Sequence, residues 1–231
     1  MNDELPIKST FKAYDIRGVV GSELTPPIVK KIGQAIGTMA LSQNQKTICV
    51  GYDGRLSSPT LSSTLIDGLL STGIDVVNIG LCTTPMLYFS TFHQATGTGV
   101  MVTGSHNPPE YNGYKVYWED GGQIVPPHDN QIINQINKTA FSDINFTPNE
   151  GLITLIDRKI DEAFFNISIE LGKFEIKNRE NFKVVFTSLH GTSITAVPQV
   201  LDKAGYSQVY LVKEQSKPDG NFPTVKSPNP E

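Results

Sequence analysis

The sequence predicts an α/β protein, a mainly parallel mixed sheet flanked by helices. Three observations carry that expectation. Short apolar runs of strand length recur at Ile48-Cys49-Val50-Gly51, Val76-Val77-Asn78-Ile79-Gly80 and Gly99-Val100-Met101-Val102. Between them lie stretches with helical apolar spacing, opened by Thr-Pro or Ser-Pro and closed by Gly. Strand and helix thus alternate, and parallel neighbours need such crossovers. The 231 residues suffice for a substantial core, and are divided here into a first domain, 1–145, and a linking helix with a second α/β unit, 146–231.

In chain order, Thr25-Pro26-Pro27 opens a helix, a capping hydroxyl followed by proline in the first turn. Ile28, Ile32, Ala35, Ile36 and Met39 give it one apolar face. The strand Ile48 to Gly51 leads into Tyr52-Asp53-Gly54-Arg55. Ser58-Pro59 is expected to cap the next helix, with Leu61, Leu65 and Leu69 inward and Gly73 closing it. After the strand Val76 to Gly80, Thr84-Pro85 opens a third helix, which Gly97 ends. Beyond the serine-bearing loop, Val116-Tyr117-Trp118 reads as a strand, Glu119 to Gly122 as a hairpin turn and Gln123-Ile124-Val125 as its return. A helix follows through Ile132, Ile133 and Ile136, with His128 as a cap or solvated residue. Phe141 to Glu150 is a polar connection, and another helix is expected around Leu155 to Leu171. The second unit adds strands at Phe182 to Thr187 and Val209 to Val212 about a helix from Ile194 to Ala204. His190, at the turn after the first of these strands, fits a phosphate ligand or a hinge, with the structural role favoured.

Composition narrows the function. Lys and Arg total 19 against 23 Asp and Glu, a net charge of −4 with no basic block, so neither nucleic acid nor an anionic membrane surface is indicated as a partner. No apolar run is long enough to span a bilayer, since Ile74 to Leu81 is broken by Asp75, Asn78 and Gly80. Met1-Asn2-Asp3-Glu4 lacks an apolar signal core. Cys49 and Cys82 sit in strand-like runs and read as small buried hydrophobes. A cytoplasmic location is expected. No residue pattern addresses the oligomeric state.

The chemistry concentrates in Thr103-Gly104-Ser105-His106-Asn107-Pro108-Pro109-Glu110-Tyr111-Asn112-Gly113-Tyr114-Lys115. It begins at a strand end, where ligands gather in open α/β sheets. The prolines oppose helix formation, and Asn112-Gly113 is a turn signal expected to return Lys115 toward Ser105. A hydroxyl, an imidazole and an ammonium then share one stiff excursion. This suits phosphoryl transfer better than acyl transfer: the G-x-S-x-G elbow is absent, whereas cations and N–H donors stabilise spread negative charge. Lys115, His106 and the backbone donors of Gly104 and Asn107 are the candidates. Asp53 and Arg55 fall on the same edge and fit two roles equally, bracing a turn or acting in the site.

The string T-G-S-H-N-P-P-x-x-N-G-x-K resembles the phosphoserine loop of the α-D-phosphohexomutases, in the phosphoglucomutase/phosphomannomutase branch. Tyr14-Asp15-Ile16-Arg17-Gly18 is similar to another motif of that family, and Gly51 to Arg55 to its G-x-D-x-R. The resemblance implies that Ser105 carries a phosphoryl group surrounded by His106, Asn107 and Lys115. It implies that Arg17 grips that group, a role suited to a planar, always charged fork. Gly104, Asn107, Asn112, Asp53 and Arg55 would support the loop. Mg²⁺ would bind through the phosphate of Ser105, hexose phosphates would be substrates, and a hexose 1,6-bisphosphate would be intermediate and primer. The family's D-x-D-x-D-R magnesium loop is missing, as no D-x-D occurs. The family's third and fourth domains have no counterpart either. The expectation is therefore an N-terminal portion with domain 1 and an incomplete domain 2, inactive alone. The Tyr114 to His128 hairpin looks closer to the phosphoglucomutase/phosphopentomutase branch, so a phosphopentomutase-type member is an alternative. A catalytically silent phospho-ligand binding or interaction module is another, and the coding sequence after Glu231 discriminates it from the enzyme.

Overall fold

The computed structural model describes residues 10–12, 15–138, 140, 149–156, 158–172 and 177–228. Tyr14, most of the polar connection from Phe141 to Pro148, and Asn229-Pro230-Glu231 lie outside the described residues.

Alternating apolar residues put side chains on both faces of a six-stranded sheet. The strands are β1 (Ile16–Val19), β2 (Thr47–Tyr52), β3 (Asp75–Leu81), β4 (Gly97–Val102), β5 (Tyr111–Tyr117) and β6 (Ile153–Leu155), in the order β1-β5-β4-β2-β3-β6. Strands β2, β3, β4 and β6 run parallel, while β5 is antiparallel to β4 and to β1. Ile48 and Val50 of β2, Val100 and Val102 of β4 and Tyr114 and Val116 of β5 face one core. That core is closed by α1 (Pro26–Ser42), α2 (Ser58–Leu70) and α4 (His128–Lys138) through Ile28, Ile32, Ile36, Leu61, Leu65, Leu69, Ile132 and Ile136. Each such aliphatic side chain stabilises the fold by about 1.5–3 kcal/mol on burial. The intervening residues, Cys49, Val77, Met101 and Tyr117, face a second core closed by α3 (Thr84–His93) and α5 (Arg158–Leu171). Both cysteines are free and buried there; burial pushes the Cys49 thiol up to about 11 and raises the Cys82 thiol too. Neither is a nucleophile at neutral pH.

Several expectations change. Thr25 is the N-cap residue of α1, but its side chain makes no capping bond. Ser58 is the first residue of α2 rather than its cap, which is Ser57. The Ser58 hydroxyl instead donates to Asp53 Oδ1 at 2.6 Å. Leu155 is not helical: it ends β6, whose pairing with β3 gives the first sheet another edge strand before α5 begins. The β-branched run Ile153-Thr154 suits a strand, and Ile156 N–H continues the edge by donating to Asn78 O at 3.2 Å. The hairpin turn forms, with Trp118 N–H donating to Gly122 O, but its return is a single bridge at Gln123. His128 is structural, its ring stacked 5.9 Å from that of Trp118.

The second unit is smaller: parallel β7 (Lys183–Phe186) and β8 (Gln208–Leu211) with α6 (Val197–Lys203), preceded by a 3-10 turn at Thr192–Thr195 that shortens the expected helix. Ala196 and Val200 reach the second core beside Phe165 of α5. His190 has the structural role: it is 3% exposed, with Nε2 2.9 Å from Thr224 Oγ1 and Nδ1 3.3 Å from Lys217 O.

Helices α1 and α2 touch backbone to backbone. A Cβ on Gly33 would lie 2.4 Å from Leu65 O, and one on Gly68 2.3 Å from Lys30 O. Helix propensity alone predicts that Gly68→Ala stabilises by about 1 kcal/mol. Here the clash should reverse the sign and destabilise by about 1–3 kcal/mol. Thermal unfolding should register a fall of several degrees; an unchanged or raised Tm would mean that the helices part at no cost.

Candidate functional site

The site begins with a buried charge. Arg55 follows β2 and is 3% exposed. Its guanidinium donates to four backbone carbonyls of the serine loop: Nη1 to Pro108 O at 2.7 Å and Tyr111 O at 2.9 Å, Nη2 to Ser105 O at 2.9 Å and Asn107 O at 2.6 Å. Burial pulls its pKa down from the usual arginine range, opposed by Asp53 and then Glu110. Arginine still keeps its charge under such conditions. Gly104 makes room for it, since a Cβ there would lie 2.3 Å from Arg55 Nε.

Asp53 ties the other side. Its Oδ1 accepts from Arg55 N–H at 3.0 Å and from the Ser58 hydroxyl, and its Oδ2 from the Thr103 hydroxyl at 2.8 Å and Gly104 N–H at 3.2 Å. One carboxylate thus joins the end of β2, the start of α2 and the end of β4. Of the two roles open to Asp53 and Arg55, these contacts are those of bracing.

The loop so folded holds Ser105 exposed and with φ +52°. That left-handed conformation is strained for a residue with a Cβ. The Thr103 hydroxyl accepts Ser105 N–H at 2.9 Å and helps hold it. Ser105 Oγ lies 3.3 Å from His106 Nδ1. Asn107 closes the turn, donating to Gly104 O through its N–H at 3.0 Å and its Nδ2 at 2.8 Å. Its Oδ1 accepts from Arg17 Nη1 at 3.3 Å, which brings β1 to the loop. A cleft of about 410 Å³ opens there, lined by Lys12, Arg17, Glu23, Asn107, Pro108 and Tyr111.

Two expectations fail here for clear physical reasons. Gly104 N–H and Asn107 N–H are not free to surround a group on Ser105, because Asp53 Oδ2 takes the first and Gly104 O the second. Among the described residues, the amide of His106 is the one from Gly104 to Asn107 without a partner. Nor do Asn112 and Gly113 turn: they lie inside β5 opposite Gly18 and Arg17. Asn112 is fully buried and donates to Ser57 Oγ and Ser58 Oγ, each at 2.9 Å. Gly113 lets β1 approach, as a Cβ would lie 2.3 Å from Ile16 O. Lys115 therefore stands half-buried on a strand opposite Met101, and no turn at Asn112-Gly113 carries it. Thr103 opens the motif and Ser58 was expected as a helix cap, but the contacts of both hydroxyls with Asp53 carry no signal in the sequence.

The residues described do not by themselves build a magnesium site. Both Asp53 oxygens are already occupied by donors, and no group of three or more His, Cys, Asp or Glu could hold a metal among the described residues. What the arrangement offers is an exposed hydroxyl on an over-determined loop, beside an imidazole and near an arginine fork.

Replacing Arg55 by Lys keeps a charge but cannot satisfy four carbonyls. Arg55→Lys should cost about 3 kcal/mol, the scale of a broken buried charge network. Urea unfolding would read it as a lowered midpoint; an unchanged midpoint would show that the carbonyls find other donors.

Known proteins resemble this chain over most of its length. The profile described as phosphoglucomutase/phosphomannomutase, alpha/beta/alpha domain I matches residues 8–143, and that of domain II matches residues 162–231. A phosphomannomutase/phosphoglucomutase of Pseudomonas syringae pv. tomato is 38% identical over 213 residues, 92% of this chain and 43% of that protein. A phosphomannomutase of Escherichia coli is 37% identical over 225 residues, 95% of this chain and 47% of its own length. The crystal structure of a phosphoglucomutase/phosphomannomutase family protein from Burkholderia thailandensis superposes with a TM-score of 0.80 at 28% identity, over 95% of this chain and 46% of the other. The chain spans under half the length of these relatives. With both domain profiles matched in order and the serine loop at the sheet edge, the chain belongs to the phosphoglucomutase/phosphomannomutase family, of which it carries the N-terminal part.

Proposed function

We propose that this chain forms the serine-loop part of a phosphohexomutase, which moves a phosphoryl group between the 1- and 6-positions of a hexose phosphate. The single observation that carries the reading is Ser105 itself: exposed, left-handed, and fixed by Arg55, Asp53 and Thr103 beside Arg17. Strained backbone that its surroundings over-determine is found disproportionately at functional sites.

In this reading the free hydroxyl of a sugar monophosphate attacks phosphorus on phospho-Ser105. An oxygen–phosphorus bond to the sugar forms as the Oγ–phosphorus bond breaks, giving a hexose 1,6-bisphosphate. The attacking hydroxyl loses its proton to a base, and Ser105 Oγ takes one up as it leaves. His106 Nδ1, at 3.3 Å from Oγ, is placed to exchange that proton. The bisphosphate then presents its other phosphate, and the same bonds form and break in reverse. The fork of Arg17 holds phosphoryl oxygens, the His106 amide adds a donor, and Lys115 supplies positive charge from β5.

Magnesium, where the whole enzyme holds it, would supply counter-charge to the transferring group, and Ser105 would contribute to it through its phosphate. The sugar is a hexose phosphate on the strength of the relatives' names, glucose and mannose being equally open. Among the described residues no helix is long and apolar enough to cross a membrane. The free cysteines are in keeping with a reducing, cytoplasmic compartment.

In the whole enzyme, Ser105→Ala should abolish turnover of hexose 1-phosphate to hexose 6-phosphate and remove the covalently bound phosphate from intact-mass spectra. Full activity, or phosphate mapped only to another serine, would sink the proposal. Arg17→Lys should lower kcat clearly, on the order of tenfold or more, because a point charge cannot replace a two-pronged donor. Wild-type kinetics in Arg17→Lys would leave Arg17 with its contact to Asn107 and nothing more.

A further inference from the structure

The serine loop is held by Arg55, but Arg55 is itself covered from the second unit. The Phe222 ring lies 5.5 Å from Arg55 Cζ. Phe222 is half-buried and takes φ +50°, a left-handed conformation that a side chain of its size adopts only when surroundings force it. Two close approaches bring it there. A Cβ on Gly220 would lie 2.7 Å from Leu56 N and 2.9 Å from Arg55 Cα, and one on Gly54 2.7 Å from Pro218 Cβ. Segment 218–222 thus lies directly on the backbone around Arg55, with no room for a larger residue at either glycine.

That segment is fixed from behind by a polar chain with one consistent direction. Thr187 Oγ1 donates to Gln215 Oε1 at 2.6 Å, and Gln215 Nε2 donates to Thr224 Oγ1 at 2.9 Å. Having accepted that bond, the Thr224 hydroxyl is left to donate to His190 Nε2 at 2.9 Å, and His190 Nδ1–H donates to Lys217 O at 3.3 Å. The backbone agrees: His190 N–H donates to Gln215 O at 3.1 Å and Asp219 N–H to His190 O at 3.0 Å. The turn after β7 therefore carries the 215–224 loop as one piece and sets Phe222 against the guanidinium.

We propose that Phe222 is a positioning residue for the Ser105 loop, acting through Arg55. Its ring covers one side of the cation, as an aromatic face attracts a desolvated guanidinium. This keeps water from competing for donors that four loop carbonyls require. The second unit then reports on the first without touching Ser105. The consequence for catalysis rests on the phosphoserine reading; the effect on the loop does not.

Two measurements on the whole protein separate these. Hydrogen exchange at Gly104, Asn107 and Tyr111, whose amides are bonded within or beside the loop, should speed up in Phe222→Leu by roughly three- to thirtyfold, the range a lost cation–π contact spans. Val50 and Val100 in the central strands should keep their protection, and Phe222→Tyr, which retains a ring, should restore the loop. Loop exchange unchanged in Phe222→Leu, or raised equally in the central strands, would overturn the proposal, as would Phe222→Tyr behaving like Phe222→Leu. In kinetics, Phe222→Leu should lower kcat severalfold with KM nearly unchanged; a rise in KM alone would overturn the link to catalysis. If Ser105→Ala keeps full activity while Phe222→Leu still loosens the loop, the phosphoserine reading falls and the positioning contact stands.

Discussion

A guanidinium taken out of water must find hydrogen-bond acceptors, and in this protein it finds four carbonyls that belong to one loop. Burying Arg55 without them would cost several kcal/mol. The requirement therefore works in both directions. The loop satisfies the cation, and the cation dictates where the carbonyls of Ser105, Asn107, Pro108 and Tyr111 point. Once those are set, the chain between them has little freedom, and the left-handed turn at Ser105 follows. Gly104 is the sequence's concession to this arrangement, because the guanidinium occupies the place of its missing side chain. Asp53 completes the frame by drawing hydroxyls and amides from two other elements onto one carboxylate.

The division of labour that results is unlike a site made of side chains alone. The groups that brace the loop lie largely inside, while Ser105 and His106 are exposed. Rigidity comes from below, and the hydroxyl is presented above. Such an arrangement holds an exposed hydroxyl in place without crowding the space a large phosphorylated ligand would need, which is what positioning for transfer requires.

Much of the fold was legible because its signals are local. Strand-length apolar runs, Thr-Pro and Ser-Pro starts and glycine stops placed β2, β3 and β4 and the helices between them, and the serine loop fell at the edge where a ligand is expected. The site was legible as a string of residues, not as a set of contacts. Asn112-Gly113 reads as a turn in any window of sequence, yet it lies in a strand, because burial of Asn112 against Ser57 and Ser58 and the approach of β1 to Gly113 outweigh the local preference. The amides of Gly104 and Asn107 looked like donors for a ligand because nothing in sequence says that Asp53 and Gly104 O already take them. β6 was hidden for a related reason: three residues carry too little pattern to distinguish a strand from the start of the helix that follows.

Helix α5 has a further consequence. Its Phe165, 1% exposed, packs in the core beneath the first sheet together with Met86 and Leu87, and the same core admits Ala196 and approaches Val200 from the second unit. The helix is thus a party wall, with one side owed to each neighbour. Neither sheet can melt without stripping a shared face, and exposing a phenylalanine of this kind costs about 1.5–3 kcal/mol. Heat should therefore meet the two units as a single cooperative body, although their strands never pair with one another among the described residues.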